Sequence, residues 1–213
     1  MPIKIEQIPL SRMNTFCYLI GDEAAGMAAL IDPAFDVTRI LNLARESGYT
    51  ITHVINTHHH SDHSAGNADV IKATGAQLCI HETDAPLLSN MTGRVFSRML
   101  GGKGSPRPQR LLKDGEKIRV GAVELTVLHT PGHTPGGVCF YTHGHVFTGD
   151  TLFVGAVGRT DLSGGSAVQL LASIRDKIYT LPEDTIVWPG HHYGDTPSST
   201  VGRERRENPF TRT

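Results

Sequence analysis

No charge of either sign is in excess along this chain. Its 20 Lys and Arg nearly balance 21 Asp and Glu, giving a net charge of -1, so nothing draws it broadly to nucleic acid or to acidic membranes. No apolar run approaches the ~20 residues that a bilayer span requires. The opening MPIKIEQIPL lacks the basic start and long apolar stretch of a secretory signal. Cysteine is scarce and odd in number. Cys17, Cys79 and Cys139 each sit in an apolar stretch, which reads as three reduced core residues of a cytoplasmic protein rather than a disulfide framework. Several catalytic signatures are missing as well: the G-x-S-x-G elbow, G-x-G-x-x-G, the P-loop, C-x-x-C and H-E-x-x-H. A protein nucleophile is therefore not expected.

What is present is histidine, twelve in 213 residues, many beside Asp or Gly. That length suits one domain spanning 1–213 and buries a core without disulfide staples. IKIEQI, TFCYLIG and MAALID read as strands broken at Asn14 and at Gly21–Asp22. Asp36 is placed to cap a helix running to Gly48, with Val37, Ile40, Leu41 and Ala44 on one face. HVINT then reads as a buried strand, followed by the loop HHHSDH, a helix over 64–75 and the short strand QLCI. Residues 90–110, with Gly101, Gly102, Gly104, Pro106 and Pro108, read as a breaker-rich loop, either a connector or a flap beside the site. EKIRV, VELTVLH, GVCFY, HVFTG and TIVW are further strands. A helix over 165–179 carries the stripe Ala167, Leu170, Leu171, Ile174 and Ile178, and the tail RERRENPF reads as a solvated face. Strands dominating each half, with a few amphipathic helices, predict an α/β protein of two packed sheets with helices outside.

Four segments share one grammar: an apolar strand, commonly a glycine, then an imidazole or carboxylate. They are VINTHHHSDH, VELTVLHTPGH, HVFTGD and TIVWPGH, and they supply His58, His60, Asp62, His63, His133, Asp150 and His191. Side chains at strand ends project from a rigid sheet into open loop space, and Gly132, Gly149 and Gly190 let the backbone turn there. In an extended stretch residues two apart point the same way, so His58 and His60 are disposed to chelate one ion. A turn at Ser61–Asp62 swings Asp62 and His63 towards a second position. His133 completes the first set and His191 the second, while Asp150, with two oxygens, is placed to bridge them. Mixed imidazole and carboxylate donors suit Zn, Fe or Mn without choosing among them. Two such ions ~3.5–4 Å apart would activate a water and polarise a carbonyl together. His53, His81, His129, His143 and His145 carry no such pattern, and His59, between two ligands, should face away.

THHHSDH, TPGHTPGG, GDTLF and PGH, in that order, resemble the metal motifs of the metallo-β-lactamase superfamily over nearly the whole chain. Within it the chain is most similar to the glyoxalase II (hydroxyacylglutathione hydrolase) group. That resemblance implies an αββα sandwich and a metal-dependent hydrolase cleaving thioesters such as S-lactoylglutathione, a small-molecule partner that is a glutathione conjugate. It implies two ions, zinc or iron with manganese as a further choice, one bound by His58, His60 and His133 and the other by Asp62, His63 and His191. Asp150 bridges them, and Asp62 is placed to orient the nucleophile. Tyr193 matches a tyrosine that touches glutathione in that group, and Arg159 sits at the position of a glutathione-binding lysine. Two departures stand out. Asp161 replaces a second tyrosine, and only twenty-two residues follow His191, with no counterpart of the helical domain that helps glyoxalase II grip glutathione. GRTD, the His191–Tyr193 segment and STVGRERRENP also resemble the persulfide dioxygenases, which bind a single iron through the equivalents of His58, His133 and Asp150. A β-lactamase is disfavoured, because Asp150 stands where those enzymes commonly carry a cysteine.

Overall fold

A computed structural model describes residues 3–212, with Thr92 and Arg94 given by their backbone alone. The first half runs β1 (Ile3–Pro9), β2 (Phe16–Asp22), β3 (Met27–Ile31), α1 (Val37–Glu46), β4 (Thr50–Ile55), α2 (Ser61–Ser64), α3 (Asn67–Thr74), β5 (Gln77–His81), α4 (Ala85–Leu88), α5 (Met91–Met99) and β6 (Arg110–Leu112). The second half runs β7 (Lys117–Val120), β8 (Val123–His129), β9 (Val138–Thr142), β10 (His145–Gly149), β11 (Leu152–Phe153), β12 (Ala156–Val157), α6 (Ala167–Ser173), β13 (Ile186–Pro189), β14 (Ser199–Thr200) and α7 (Val201–Glu207). Strands β1 to β6 form one six-stranded sheet in sequence order, and a second has the order β14-β13-β10-β9-β8-β7. Both are mixed: β3 to β6 run parallel beside an antiparallel β1–β3 meander, and β13 lies parallel to β10 in an otherwise antiparallel sheet.

Burial follows from strand alternation. In β2, Cys17 and Leu19 face α1 and α3 together with Leu30, Ile40, Val54 and Val70. The intervening Phe16, Tyr18 and Ile20 face the second sheet, meeting Leu125, Val127, Phe140 and Phe147. A third apolar layer packs Val146 and Val187 against Leu170 and Ile174 of the α6 region. Helix, sheet, sheet and helix thus alternate with three apolar layers, which is the expected αββα sandwich.

Local expectations fail in instructive places. Asp36 does not cap α1. It has φ 54°, makes no capping bond, and its carboxylate instead accepts from the Ser11 amide and hydroxyl at 2.8 and 2.7 Å. The helix expected over 64–75 is present as α3, but the loop expected before it winds into the short α2. The loop expected over 90–110 contains α5, capped by Asn90 accepting from the Gly93 amide at 2.7 Å. The helix expected to reach 179 is α6 followed by a π-turn at Ile174–Ile178. Finally, the tail is not wholly solvated: Glu204 of α7 and Asn208 at its end are buried.

Candidate metal centre

Parallel pairing brings the C-terminal ends of β3 and β4 side by side, and β10 and β13 end together in the same way. Asp32 follows β3. Asn56, Thr57 and His58 follow β4 and lead into α2, which carries Asp62 and His63. Asp150 follows β10, and His191 follows β13 at a bridge with Thr15. His133 arrives from the loop after β8. Gly149 adopts φ +47° with its α-carbon packed so closely on Thr57 that a Cβ would lie 2.5 Å from its hydroxyl. Only glycine allows β10 to end there.

All seven expected ligands converge. His58, His60 and His133 place ligand atoms within 4.8 Å of one another, as do Asp62, His63 and His191. His60 Nδ1 faces His133 Nε2 at 3.0 Å, and His63 Nε2 faces His191 Nε2 at 3.1 Å. Asp150 stands between the two sets. One of its oxygens is 3.2 Å from His63 Nε2, and the other is 3.5 Å from His133 Nε2 and 3.4 Å from His191 Nε2. Asp62 lies 3.5 Å from His191 Nε2 and 3.9 Å from His63 Nε2.

The hydrogen bonds behind the rings decide which nitrogens face inward. His63 Nδ1 meets Asp32 Oδ2 at 3.0 Å, His133 Nδ1 meets the Arg159 carbonyl at 2.7 Å and His191 Nδ1 meets the Met13 carbonyl at 2.9 Å. Carboxylates and carbonyls only accept, so each Nδ1 carries a proton, and a ring in its neutral form turns a bare Nε2 to the centre. The Thr57 hydroxyl gives its proton to Asp32 at 2.6 Å and so accepts from His58 Nδ1 at 3.0 Å. His58 Nε2 is then bare too, and it is buried without any hydrogen-bond partner, as is Asp150 Oδ1. Two bare nitrogens 3.1 Å apart repel unless a cation or a proton stands with them. This donor chemistry fits metal ions.

Electrostatics agree. Burial, with His63 close by, holds His58 well below the usual histidine range against the pull of Asp150. Burial, then His133 and His59, lowers His60 to about 4. Burial also disfavours a charged His63, but Asp150 and Asp62 outweigh it and raise that ring well above its ordinary value. Burial opposes a charged Asp150 likewise, and His63 and His191 outweigh it, holding the carboxyl far down. These are groups that stay deprotonated, or hold a proton only where a cation would serve.

Above the donors opens a cavity of about 540 Å³ lined by His60, Asp62, His133, Asp150 and His191, with Arg159 and Tyr193 on its wall. Tyr193 stacks on His191 with ring centroids 4.7 Å apart at 5°. Arg159 is engaged by Asp161 through two bonds of 2.8 and 2.7 Å. The cysteines take no part. All three are buried and unpaired, and burial pushes the Cys79 and Cys139 thiols up to about 12 and about 11.

Two buried carboxylates escaped the sequence reading. Asp32 accepts from the Thr57 amide and hydroxyl and orients His63. Its signal was available, since MAALID has the same strand-then-carboxylate grammar. Asp84, fully buried, accepts from the His59 amide and ring at 3.0 and 2.9 Å, the Thr134 hydroxyl at 2.8 Å and the Gly136 amide at 2.7 Å. It ties the loop of His58 and His60 to the loop of His133. His59 does face away from the centre, towards this carboxylate.

Residues 10–191 match the Metallo-beta-lactamase superfamily. The chain is 37% identical over 213 residues to human mitochondrial persulfide dioxygenase, covering 98% of this chain and 76% of that one. It is 40% identical over 184 residues to a Polaromonas hydroxyacylglutathione hydrolase, covering 84% of this chain and 63% of that one. Among solved structures, the BLEG-1 B3 metallo-beta-lactamase superposes with TM-score 0.88 at 33% identity over 99% of this chain and 100% of that chain. TTHA1623, crystallised in a di-iron-bound form, gives TM-score 0.81 at 34% identity over 96% and 99%. No helix among the described residues is long and apolar enough to cross a membrane. Motif order, the sandwich fold and the similarity across most of its length agree: this chain belongs to the metallo-β-lactamase superfamily.

Proposed function

We propose that the chain is a metal-dependent hydrolase of thioesters, S-lactoylglutathione among them, working with two ions. The observation that carries this reading is the second donor set. Asp62, His63 and His191 stand complete beside His58, His60 and His133, with Asp150 in reach of both. The buried His63–His191 approach at 3.1 Å supplies the nitrogens that a second ion would take. Zinc, iron or manganese held there would lend Lewis acidity to a water and to the substrate carbonyl.

The protein's own part is placement. The accepting groups behind the rings fix the tautomers of His58, His63, His133 and His191. Asp62, partly open to the cavity, is placed to hold and orient the attacking water through a carboxylate oxygen and to take up its proton. The cavity above receives the acyl group and the thiol, with Tyr193 and Arg159 at its wall. Hydrolysis forms a C–O bond from water, breaks the C–S bond and releases a carboxylate and a thiol. Backbone and rings are already held in place, so little reorganisation accompanies the reaction.

A second reading has its own support. Similarity to human persulfide dioxygenase over 98% of this chain and 76% of that one accompanies a subset of donors, His58, His133 and Asp150, that suits one iron. His133 Nε2 and Asp150 Oδ2 are 3.5 Å apart, and the His58 and His133 rings are 4.8 Å apart. Metal analysis with paired assays separates the two. About two metals per chain, with S-lactoylglutathione or another thioester hydrolysed without oxygen uptake, is the expected result. One iron per chain with rapid oxygen uptake on glutathione persulfide would overturn it. His191→Ala should cripple a two-ion hydrolase and largely spare a one-iron dioxygenase.

A further inference from the structure

Exposed apolar side chains are not scattered evenly over this surface. Four of them, Met13, Phe96, Leu162 and Tyr193, are 46%, 48%, 40% and 55% exposed and all line the one cavity above the donor cluster, with half-buried Leu87 beside them. They come from separate places in the chain: the β1–β2 loop, α5, the loop after β12 and the segment after β13. Exposed apolar groups occurring singly need no explanation, but their gathering around a concave site does.

One of them is held there at a conformational cost. Met13 has φ 56° and Asn14 φ 53°. Asparagine tolerates that region, whereas methionine is strained in it. The loop is fixed in this shape by the Met13 carbonyl receiving His191 Nδ1 at 2.9 Å and the Asn14 carbonyl receiving the His192 amide at 2.8 Å. The second of these contacts joins backbone to backbone, so it holds the loop whatever side chain stands at 192.

The wall is also nearly without free charge. Among the described side chains lining the cavity, Arg159 is the only Lys or Arg, and Asp161 already holds it by two bonds of 2.8 and 2.7 Å. The cavity thus has a polar floor that suits a reacting carbonyl and an apolar collar that suits hydrocarbon.

We propose that this collar binds a hydrocarbon substituent of the substrate, so that the preferred substrates are thioesters bearing an apolar chain beside the reacting carbonyl, ahead of the polar 2-hydroxyacyl glutathiones. The proposal rests on the thioester-hydrolase reading for its chemistry, but not for the collar itself. Each methylene moved from water into apolar contact gains about fourfold when fully buried. A collar this open delivers roughly twofold per methylene, about half of that gain in free energy.

The test has two arms that fail separately. In the first, metal-loaded protein is assayed on acetyl to octanoyl thioesters of N-acetylcysteamine, on acetyl thioesters of thiols of increasing alkyl length, and on S-lactoylglutathione. In the second, the same metal-loaded protein is titrated calorimetrically with S-alkyl-N-acetylcysteamine thioethers, which cannot be hydrolysed. The expected result is a rise in kcat/KM of roughly twofold per methylene in one series, which identifies the half of the substrate that the collar holds. Thioether affinity should rise by a similar factor, and both slopes should flatten in Phe96→Ser/Leu162→Ser. Those side chains lie outside the three apolar layers, so the fold should survive their replacement, and an unchanged melting curve checks this. Thioester turnover with no dependence on chain length in either series, or S-lactoylglutathione preferred over every alkyl substrate, overturns the collar and leaves the hydrolase standing. No turnover of any thioester, with thioether affinity still rising, overturns the hydrolase and upholds the collar.

Discussion

Asp84 offers the most demanding test of how the site is held. It touches none of the proposed ligands, yet it accepts four hydrogen bonds from two loops: the His59 amide and ring, the Thr134 hydroxyl and the Gly136 amide. Asp84→Ala leaves those buried donors facing a void. A hydrogen bond to a charged acceptor contributes about 1.5–3 kcal/mol, and the four share one carboxylate, so they do not add. Breaking a buried charged contact typically costs about 3–5 kcal/mol, and we expect a loss of that size. For a chain of this length each kcal/mol lowers Tm by roughly 2–4 °C, so the variant should melt about 6–20 °C lower. Asp84→Asn keeps the shape but turns an NH2 group towards donors, and about half the loss is expected.

The pH dependence follows from the same contacts. Burial alone would raise the Asp84 carboxyl, but bonds from His59, Thr134 and Gly136 outweigh it and hold the group below its ordinary value. A carboxyl depressed by folding stabilises fully above its unfolded pKa of about 3.9 and loses that contribution as pH falls through the folded value. The stability gap between wild type and Asp84→Ala should therefore be flat from about pH 5 to 8 and narrow only in stronger acid. Urea unfolding of the metal-free proteins across that range measures it. Metal titration should show the His58, His60 and His133 set weakened by about 10–100-fold, the usual toll of disturbing supports outside the ligands. A variant within about 1 kcal/mol of wild type at neutral pH would refute the reasoning, as would a gap that closes already between about pH 6 and 5.

Gly190→Ala would place a Cβ 2.5 Å from Asp150 Oδ1 and 2.9 Å from the Gly149 carbonyl. Overpacking of this kind costs about 1–3 kcal/mol, and displacement of the shared carboxylate should lower metal content in both sets, read by elemental analysis of dialysed protein. Glu204→Ala removes a carboxylate that is 1% exposed and accepts from Ser199, the Gly155 amide and Asn208. A loss of about 2–4 kcal/mol in denaturant unfolding is expected, with metal stoichiometry unchanged.

The strands that carry the ligands are legible because each is a short apolar run ended by glycine or by a ligand itself. β2 reads as a continuous run for a physical reason: both its faces are covered, one by helices and one by the other sheet. The α5 helix was hidden by Gly93 and by the glycines and prolines after it, although Asn90 at its start was a usable capping signal. The tail misled through its alternating charges. Helical periodicity puts Val201, Glu204 and Asn208 on one face, and that face is buried, but a count of charges hides the period. Asp36 has the right residue type for a cap in the wrong conformation, since φ 54° turns its carboxylate towards Ser11. Asp84 had no local signal at all, because its partners lie 25 to 52 residues away.

The division of the ligands between sheets gives the core a role in affinity. The first sheet and the loops after its strands supply His58, His60, Asp62 and His63, while the second supplies His133, Asp150 and His191. Neither donor set is complete on one sheet: His58 and His60 need His133, and Asp62 and His63 need His191. The separation of donors is therefore set by the apolar layer between the sheets, where Tyr18 and Phe147 meet edge to face with ring centroids 5.1 Å apart. Tyr18 also donates its hydroxyl to the Pro189 carbonyl at 2.5 Å, one residue before Gly190 and two before His191. A first-sheet side chain thus holds the end of a second-sheet strand at the point where that strand delivers a ligand. Close-packed interiors transmit displacement rather than absorb it, and ligand geometry tolerates about 0.5 Å. Packing between the sheets is thereby part of the metal centre, however far its side chains lie from the ions.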